Sequence, residues 1–323
     1  MRVAEALELF HAAEKSGCSP DVCAAGRWTC YMLAGDYAAA WRESDAIEAR
    51  GNHDPHRFWD GRSLAGKRVL LRCLHGLGDT LQFVRYAPLI KAQARTLTIE
   101  AQPKLKRLLA AAKLADQVIT WGEPEPPWDQ QIEINELPRI FRATLSSIPG
   151  NVPYLHLPDA DSIADTSPRC LRVGLAWAAG TFNPARTVPI ELLAPLLDTP
   201  GALFFSVQAG PEHAQLQPWA HLVKGLAEES TCIWQVAREM NRLHLIITVD
   251  TMTAHLAGAL GRRTWTLLPF ACDWRWMLGR RDTPWYPTMR LFRQTNPGDW
   301  KPVIAQVQKE LKALIAAPER QEE

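Results

Sequence analysis

The chain has 323 residues, 47% of them hydrophobic, and sets 36 Lys and Arg against 35 Asp and Glu for a formal net charge of +1. That is enough apolar material for two domains of ordinary size plus an appendage, and it excludes a mini-scaffold. The balanced charge excludes an overall field for nucleic acid or an anionic membrane, so any anionic ligand has to be bound locally.

The first residues, MRVAEALELFHAAEKSG, mix charges among their apolar groups and carry no signal-peptide core or cleavage site. No stretch reaches the roughly 18 uninterrupted apolar residues of a membrane span. The seven cysteines (Cys18, Cys23, Cys30, Cys73, Cys170, Cys232, Cys272) are odd in number and scattered, which predicts reduced thiols and a cytoplasmic protein. Cys18, Cys23 and Cys30 lack the paired C-x-x-C spacing of a zinc site, so no metal is expected.

Residues 3–49 predict helices, from apolar groups at three- and four-residue spacing. Within them Gly35-Asp36-Tyr37 and the following AAAWRESDAIEARG resemble the turn and second helix of a tetratricopeptide repeat. One such unit cannot bury its own face, so it has to dock elsewhere or make a protein contact, including one between copies of the chain.

From Arg68 the pattern changes to short apolar runs separated by helical stretches, the alternation of parallel α/β sheets. Strands are predicted at residues 69–73, 97–100, 117–120, 131–134 and 154–157. The polar, proline-containing run PDADSIADTSPR at 158–169 predicts a domain boundary. A second series follows, with strands at 171–177, 203–207, 245–249 and 264–268 and helices near 190–197, 233–242 and 252–260. A final helix at about 302–316 carries the apolar stripe Val303, Val307, Leu311, Leu314 and Ile315. The expected division is a helical extension at 1–57, a Rossmann-like acceptor-side domain at 58–160 and a Rossmann-like donor-binding domain at 161–323.

Ligands bind such sheets beyond the carboxyl ends of their strands. In the first domain that place is taken by His75-Gly76-Leu77-Gly78-Asp79, where the glycines suit a positive-φ turn and close approach of a ligand. Asp79 either caps the following helix or acts as a general base on an acceptor hydroxyl. The third glycine of a dinucleotide fingerprint would fall at Leu81, which removes support for an NAD enzyme.

In the second domain the strand LIITV runs into Asp250-Thr251-Met252, with His255 on the helix that follows. The helix N-terminus offers amides to an anion, while a plainer account makes Asp250 a cap and His255 a core histidine. Arg186 and Thr187 lie in the loop after the first strand of this series, where Arg186 either neutralises a diphosphate or is a solvated surface group. Glu212, after the next strand, either accepts from a ribose diol or only begins a helix. Residues 270–300 are dense in aromatic rings; Phe270 and Trp274 are candidates for stacking on a sugar or base, against the alternative of core packing.

Three stretches, HGLGDTLQFVRYAPLI, ITVDTMTAHLAGALG, and LLPFACDWRWMLGRRDTPWYPTMRLFRQ with the later GDW, together resemble glycosyltransferase family 9, the ADP-heptose heptosyltransferases, most closely the branch preceded by tetratricopeptide repeats. The resemblance covers residues 58–315. It implies a GT-B fold of two Rossmann-like domains facing a cleft, a terminal helix crossing back to the first domain, and inverting, metal-independent transfer without a cofactor. A nucleotide-sugar such as ADP-heptose would be the donor, and a saccharide or protein the acceptor. By motif, Asp79 becomes the catalytic base with His75, Gly76, Gly78 and Gln82 in the acceptor-side loop, and Arg186, Thr187, Glu212, Asp250, Thr251, Met252, His255 and Phe270 bind the donor. Two alternatives stand beside it: a non-catalytic binding module that keeps the fold, and a nucleotide-sugar epimerase.

Overall fold

The computed structural model describes residues 2–52, 54–157, 170–180, 183–208, 210–225 and 232–317. The boundary expected at 158–169 lies outside the described residues. Two compact units are present, one formed by Met1–Asn151 with Cys272–Pro287 and the other by Val152–Ala271 with Thr288–Glu323.

The first unit begins with three helices, α1 (Val3–Lys15), α2 (Pro20–Ala34) and α3 (Tyr37–Ala49). The turn between α2 and α3 forms where the sequence marks it: Gly35 takes φ +81°, and the Asp36 side chain accepts from the Ala39 amide at 2.9 Å. The helices are docked by specific groups as well as apolar contact. Trp41 Nε1 donates to the Ala143 carbonyl at 2.8 Å, and the Leu278 amide donates to the Leu33 carbonyl at 2.8 Å.

Next come β1 (Arg68–Arg72), α4 (Leu77–Phe83), α5 (Ala87–Lys91), β2 (Thr96–Ala101), α6 (Lys106–Ala112), β3 (Gln117–Thr120), β4 (Gln130–Glu133) and α7 (Leu137–Ile140). The strands form a parallel sheet in the order β3-β2-β1-β4. In β1 the apolar Val69, Leu70 and Leu71 are buried between two arginines at its ends, as a strand covered on both faces requires.

The aromatic segment Cys272–Pro287 belongs to this unit and fills it. Trp276, Trp285 and Tyr286 are completely buried, and Trp285 Nε1 donates to the Tyr37 hydroxyl at 3.2 Å. Trp274 meets Trp28, Tyr37 and Trp285 edge-on. These rings are the surface on which the helical extension is seated, which answers the plainer alternative for most of them: they pack.

The second unit contains β5 (Leu171–Ala176), α8 (Ile190–Leu197), β6 (Ala202–Ser206), β7 (Val223–Gly225), α9 (Ile233–Met240), β8 (Leu245–Val249), α10 (Met252–Ala259), β9 (Thr264–Leu268), β10 (Met289–Arg293) and α11 (Lys301–Ala316). Its parallel sheet runs β10-β9-β8-β5-β6-β7. All five residues of β8 and all five of β9 are buried. Ala254, Ala257, Gly258 and Ala259 let α10 lie close on that sheet. The stripe on α11 buries Val303, Val307 and Leu311 in the core of this same unit, against α8 and β10, and the segment that groups with the first unit is Cys272–Pro287.

Three sequence expectations need correction. No strand forms at 154–157; the amides of Tyr154 and Leu155 both bond to the Ala259 carbonyl at the end of α10. Strands β7 and β10 were not foreseen: β7 is three residues long, and β10 (MRLFR) alternates arginines with apolar groups, its Arg290 reaching Glu310 on α11 at 2.7 Å. The glycines after β1 do not make a positive-φ turn, since Gly76 has φ −71° and Gly78 is already inside α4.

Candidate functional site

The carboxyl end of β1 leads through Cys73, Leu74 and His75 into α4. Asp79 is neither the first helical residue nor a cap in the usual place: it lies in the first turn and reaches back, Oδ2 accepting from the Gly76 amide at 2.9 Å. A Cβ on Gly76 would lie 3.0 Å from that oxygen, so glycine here serves close approach. The other oxygen, Oδ1, accepts from Arg275 Nη2 at 2.5 Å.

Arg275 is fixed from several sides. Its Nε donates to Gln82 Oε1 at 2.7 Å, its Nη1 donates to Asp273 Oδ1 at 3.0 Å, and its guanidinium lies 4.8 Å from the Trp274 ring centre and 5.4 Å from that of Phe83. Thus Asp79 and Gln82 are brought together, through an arginine 196 positions further along the chain. Sequence reasoning missed Arg275; only tertiary packing gives it a role.

Beside this loop, β4 ends on Glu133, whose side chain is 1% exposed. Its Oε2 accepts from the Asn135 amide at 2.6 Å, while Oε1 has no hydrogen-bond partner among the described residues and lies 3.7 Å from His75 Nε2. Burial pushes the carboxyl from its ordinary 4.5 up to about 7, the charges of Glu136 and Asp79 add to that, and the Asn135 and Leu74 amides oppose it. His75 itself is half-exposed, and its ring lies 5.9 Å from that of His56. Glu133 carries a signal that sequence reading passed over: an acidic residue at the carboxyl end of a strand.

A cavity of about 410 Å³ opens in the same unit, lined by Trp28 and Trp41 of the helical extension, by Phe83 and Arg139, and by Trp274 and Arg275. Trp274 is therefore both packed and at a cavity wall. Two buried polar atoms of the lining, Asn135 Oδ1 and Arg139 Nε, have no hydrogen-bond partner among the described residues.

In the second unit, Thr251 is the N-cap of α10, its hydroxyl accepting from the Thr253 amide at 3.3 Å, with Met252 the first helical residue. Asp250 precedes the cap and is buried, 3.8 Å from Arg186 Nη1. That exceeds a hydrogen bond, and Arg186 Nε is also buried without a hydrogen-bond partner among the described residues. A guanidinium held this loosely beside a helix N-terminus has donors to give to an anion. His255 is 6% exposed on α10, in keeping with a core position.

Thr187 shapes the loop, its hydroxyl accepting from the Ala179 amide at 3.0 Å. Gln208, not singled out from sequence, ties two strand ends together: its Oε1 accepts from the amides of Trp177 and Ala178 at 3.0 and 2.9 Å. Glu212 folds back over Gly210, Oε2 lying 2.9 Å from where a Cβ would stand. The Phe270 amide donates to Gln294 Oε1 at 3.0 Å, and the Gly298 amide donates to the same oxygen at 3.1 Å.

Among the described residues no group of three or more His, Cys, Asp or Glu is placed to hold a metal, and no helix is long and apolar enough to cross a membrane. No disulfide joins the seven cysteines.

With that geometry in hand, comparison with known proteins is informative about fold. No protein-family model matches the chain. Among curated proteins, Protein FlbA of Caulobacter vibrioides is 25% identical over 364 residues, covering 97% of this chain and 59% of its own length. The chain therefore spans about three-fifths of that relative.

Among solved structures, E. coli ADP-heptose lps heptosyltransferase II matches with a TM-score of 0.55 at 16% identity, covering 77% of this chain and 98% of the other. The glycosyl transferase family 9 protein from Veillonella parvula matches with a TM-score of 0.54 at 14% identity, covering 80% and 92%. The fold is similar to theirs. At these identities the likeness speaks for the mixed α/β architecture with parallel sheets and leaves chemistry to the residues.

Proposed function

We propose that the protein is a glycosyltransferase that moves a heptose or hexose from a nucleoside-diphosphate donor to a saccharide or protein acceptor, inverting the anomeric centre without a metal. The observation that carries this reading is the second-unit loop set: Arg186 loosely held beside Asp250, with the capped N-terminus of α10 adjoining it. Amides and a guanidinium there would stabilise the departing diphosphate, the species whose charge grows in the transition state. Thr251 and Met252 present the helix end, Thr187 holds the Arg186 loop, Glu212 suits a ribose diol, and Phe270 offers a ring to the base. His255 supports α10 from within.

On the first unit, the loop from His75 to Asp79 supplies the proton acceptor that in-line displacement needs. Asp79 has one oxygen paired with Arg275 and the other with the Gly76 amide, and each oxygen keeps a second lone pair for that proton. Family likeness and these loops support ADP-heptose as the first donor to try. The helical extension suits an acceptor-selecting role or a contact between copies, in a protein that acts in the cytoplasm.

The test is direct: ADP-, UDP- and GDP-linked sugars are incubated with the protein, and free nucleotide and transfer product are followed together. Release of one nucleotide with glycosyl transfer of inverted configuration is expected. Tight nucleotide binding without release would favour a binding module, and free epimerised donor without transfer would favour an epimerase.

A further inference from the structure

We propose that His75, held by the buried Glu133 behind it, is the group that takes the proton from the acceptor hydroxyl. The proposal rests on the transferase reading and moves the proton step from Asp79 to its neighbour on the same loop.

Three observations bear on it. Asp79 is engaged at both oxygens, by the Gly76 amide and by an arginine itself fixed by Gln82, Asp273 and two rings. A proton taken there goes to a carboxylate already paired with a guanidinium. His75, by contrast, has a side chain 43% exposed at the carboxyl end of β1, where a ligand of this sheet would lie. Its backbone is anchored, the carbonyl accepting from Gln102 Nε2 at 2.8 Å.

The third observation is the carboxylate behind it. Glu133 Oε1 is buried and has no hydrogen-bond donor among the described residues, a costly state for an ionised oxygen. It faces His75 Nε2 at 3.7 Å, too far for a hydrogen bond yet close enough to attract a positive charge that forms on that ring. The remaining neighbours are identified: the Asn135 and Leu74 amides on Glu133, the charges of Glu136 and Asp79, and on the His75 side the His56 ring, whose Nδ1 lies 3.5 Å from Asp54.

In the step itself, the acceptor O–H bond breaks and its proton forms an N–H bond at His75. The hydroxyl electron pair forms the new bond to the anomeric carbon as the bond to the diphosphate breaks, and the diphosphate leaves with that pair. The imidazolium so formed gains a counter-charge in Glu133, which draws closer to it. Glu133 is thus a positioning residue, and a carboxyl that titrates near 7 places an acid limb in the pH profile near neutrality.

The experiment compares His75→Gln, Glu133→Gln and Asp79→Asn with the wild type, using ADP-, UDP- and GDP-linked hexoses with methyl glycosides or water as acceptor, with thermal melts confirming folding. His75→Gln is expected to lower kcat by about 10²–10⁴-fold, the usual share of a general base. Glu133→Gln should lower it less and displace the acid limb, and added imidazole should restore part of the activity of His75→Ala. Wild-type kcat and pH profile in His75→Gln would overturn the proposal, as would a larger loss in Asp79→Asn than in His75→Gln.

If the wild type transfers nothing, the transferase reading fails, and the pair is judged separately by carboxyl carbon NMR of Glu133. A titration near 7 that moves in His75→Gln supports the coupling; one indifferent to His75→Gln overturns it.

Discussion

The loop after β1 and the loop after β8 are built from the same parts and wired differently. Each follows a buried parallel strand, each enters a helix, and each pairs an aspartate with an arginine from a distant part of its own unit. In the first, Arg275 binds Asp79 at 2.5 Å and also donates to Gln82 and Asp273. In the second, Arg186 stands 3.8 Å from Asp250 and keeps a buried Nε without a hydrogen-bond partner among the described residues. A closely and multiply tied arginine holds the fold, and one whose buried Nε lacks a partner among the described residues has a donor to offer a ligand. The difference agrees with the proposal that Asp250 and Arg186 take the donor, and it shows Asp79 tied to Arg275.

Several substitutions would break or sharpen that contrast. The largest effect is expected at Glu133, whose folded carboxyl sits near 7 against an ordinary 4.5. The folded state thus holds its proton more tightly than the unfolded one. The resulting stability is fully present below about 4.5 and is lost as pH rises to about 7 and above. At roughly 1.4 kcal/mol per pH unit the difference is on the order of 3.5 kcal/mol. Glu133→Gln should therefore gain on the wild type by that amount between pH 4.5 and 8 in urea titrations; parallel curves would mean Glu133 is not held protonated.

The next effect is the direct contrast. Arg275→Met leaves Asp79, Gln82 and Asp273 without their donor and should cost about 2 kcal/mol of stability, since breaking a partly buried pair strands its partner. Arg186→Met should cost less than about 1 kcal/mol, because the pair it breaks is long. Equal costs in chemical denaturation would erase the distinction. Of similar size, Thr251→Ala removes the α10 cap and should cost about 1 kcal/mol, with weaker anion binding at the helix end.

Much of this organisation was legible in the sequence. Fully buried parallel strands announce themselves as apolar runs, and LIITV, TWTLL and RVLLR lie within a residue of where they are expected. The Gly35-Asp36 turn was legible because left-handed φ and N-capping demand those residue types. The α11 stripe was legible from its spacing.

The parts that were not legible are those decided by distant partners. Gly76 and Gly78 looked like a turn, and only the reach of the Asp79 side chain shows that Gly76 is there for space. Arg275 and Glu133 carry no local signature, since one acts across 196 positions and the other is a strand's last residue. For the ring-rich segment the sequence left sugar stacking and core packing both open, and Trp274 and Trp285 pack against the helical extension.

The central claim is that the second unit binds a nucleoside diphosphate through Arg186 and the α10 end. The most direct measurement is a thermal-shift titration with ADP, UDP and GDP on the wild type and on Arg186→Met. A ligand that binds only the folded state raises its stability by RT ln(1 + [L]/Kd). A saturable rise with one nucleotide, reduced at least about tenfold in affinity by Arg186→Met as loss of a charge-assisted contact requires, is the result expected. No rise with any nucleotide, or a rise indifferent to Arg186→Met, would contradict the account.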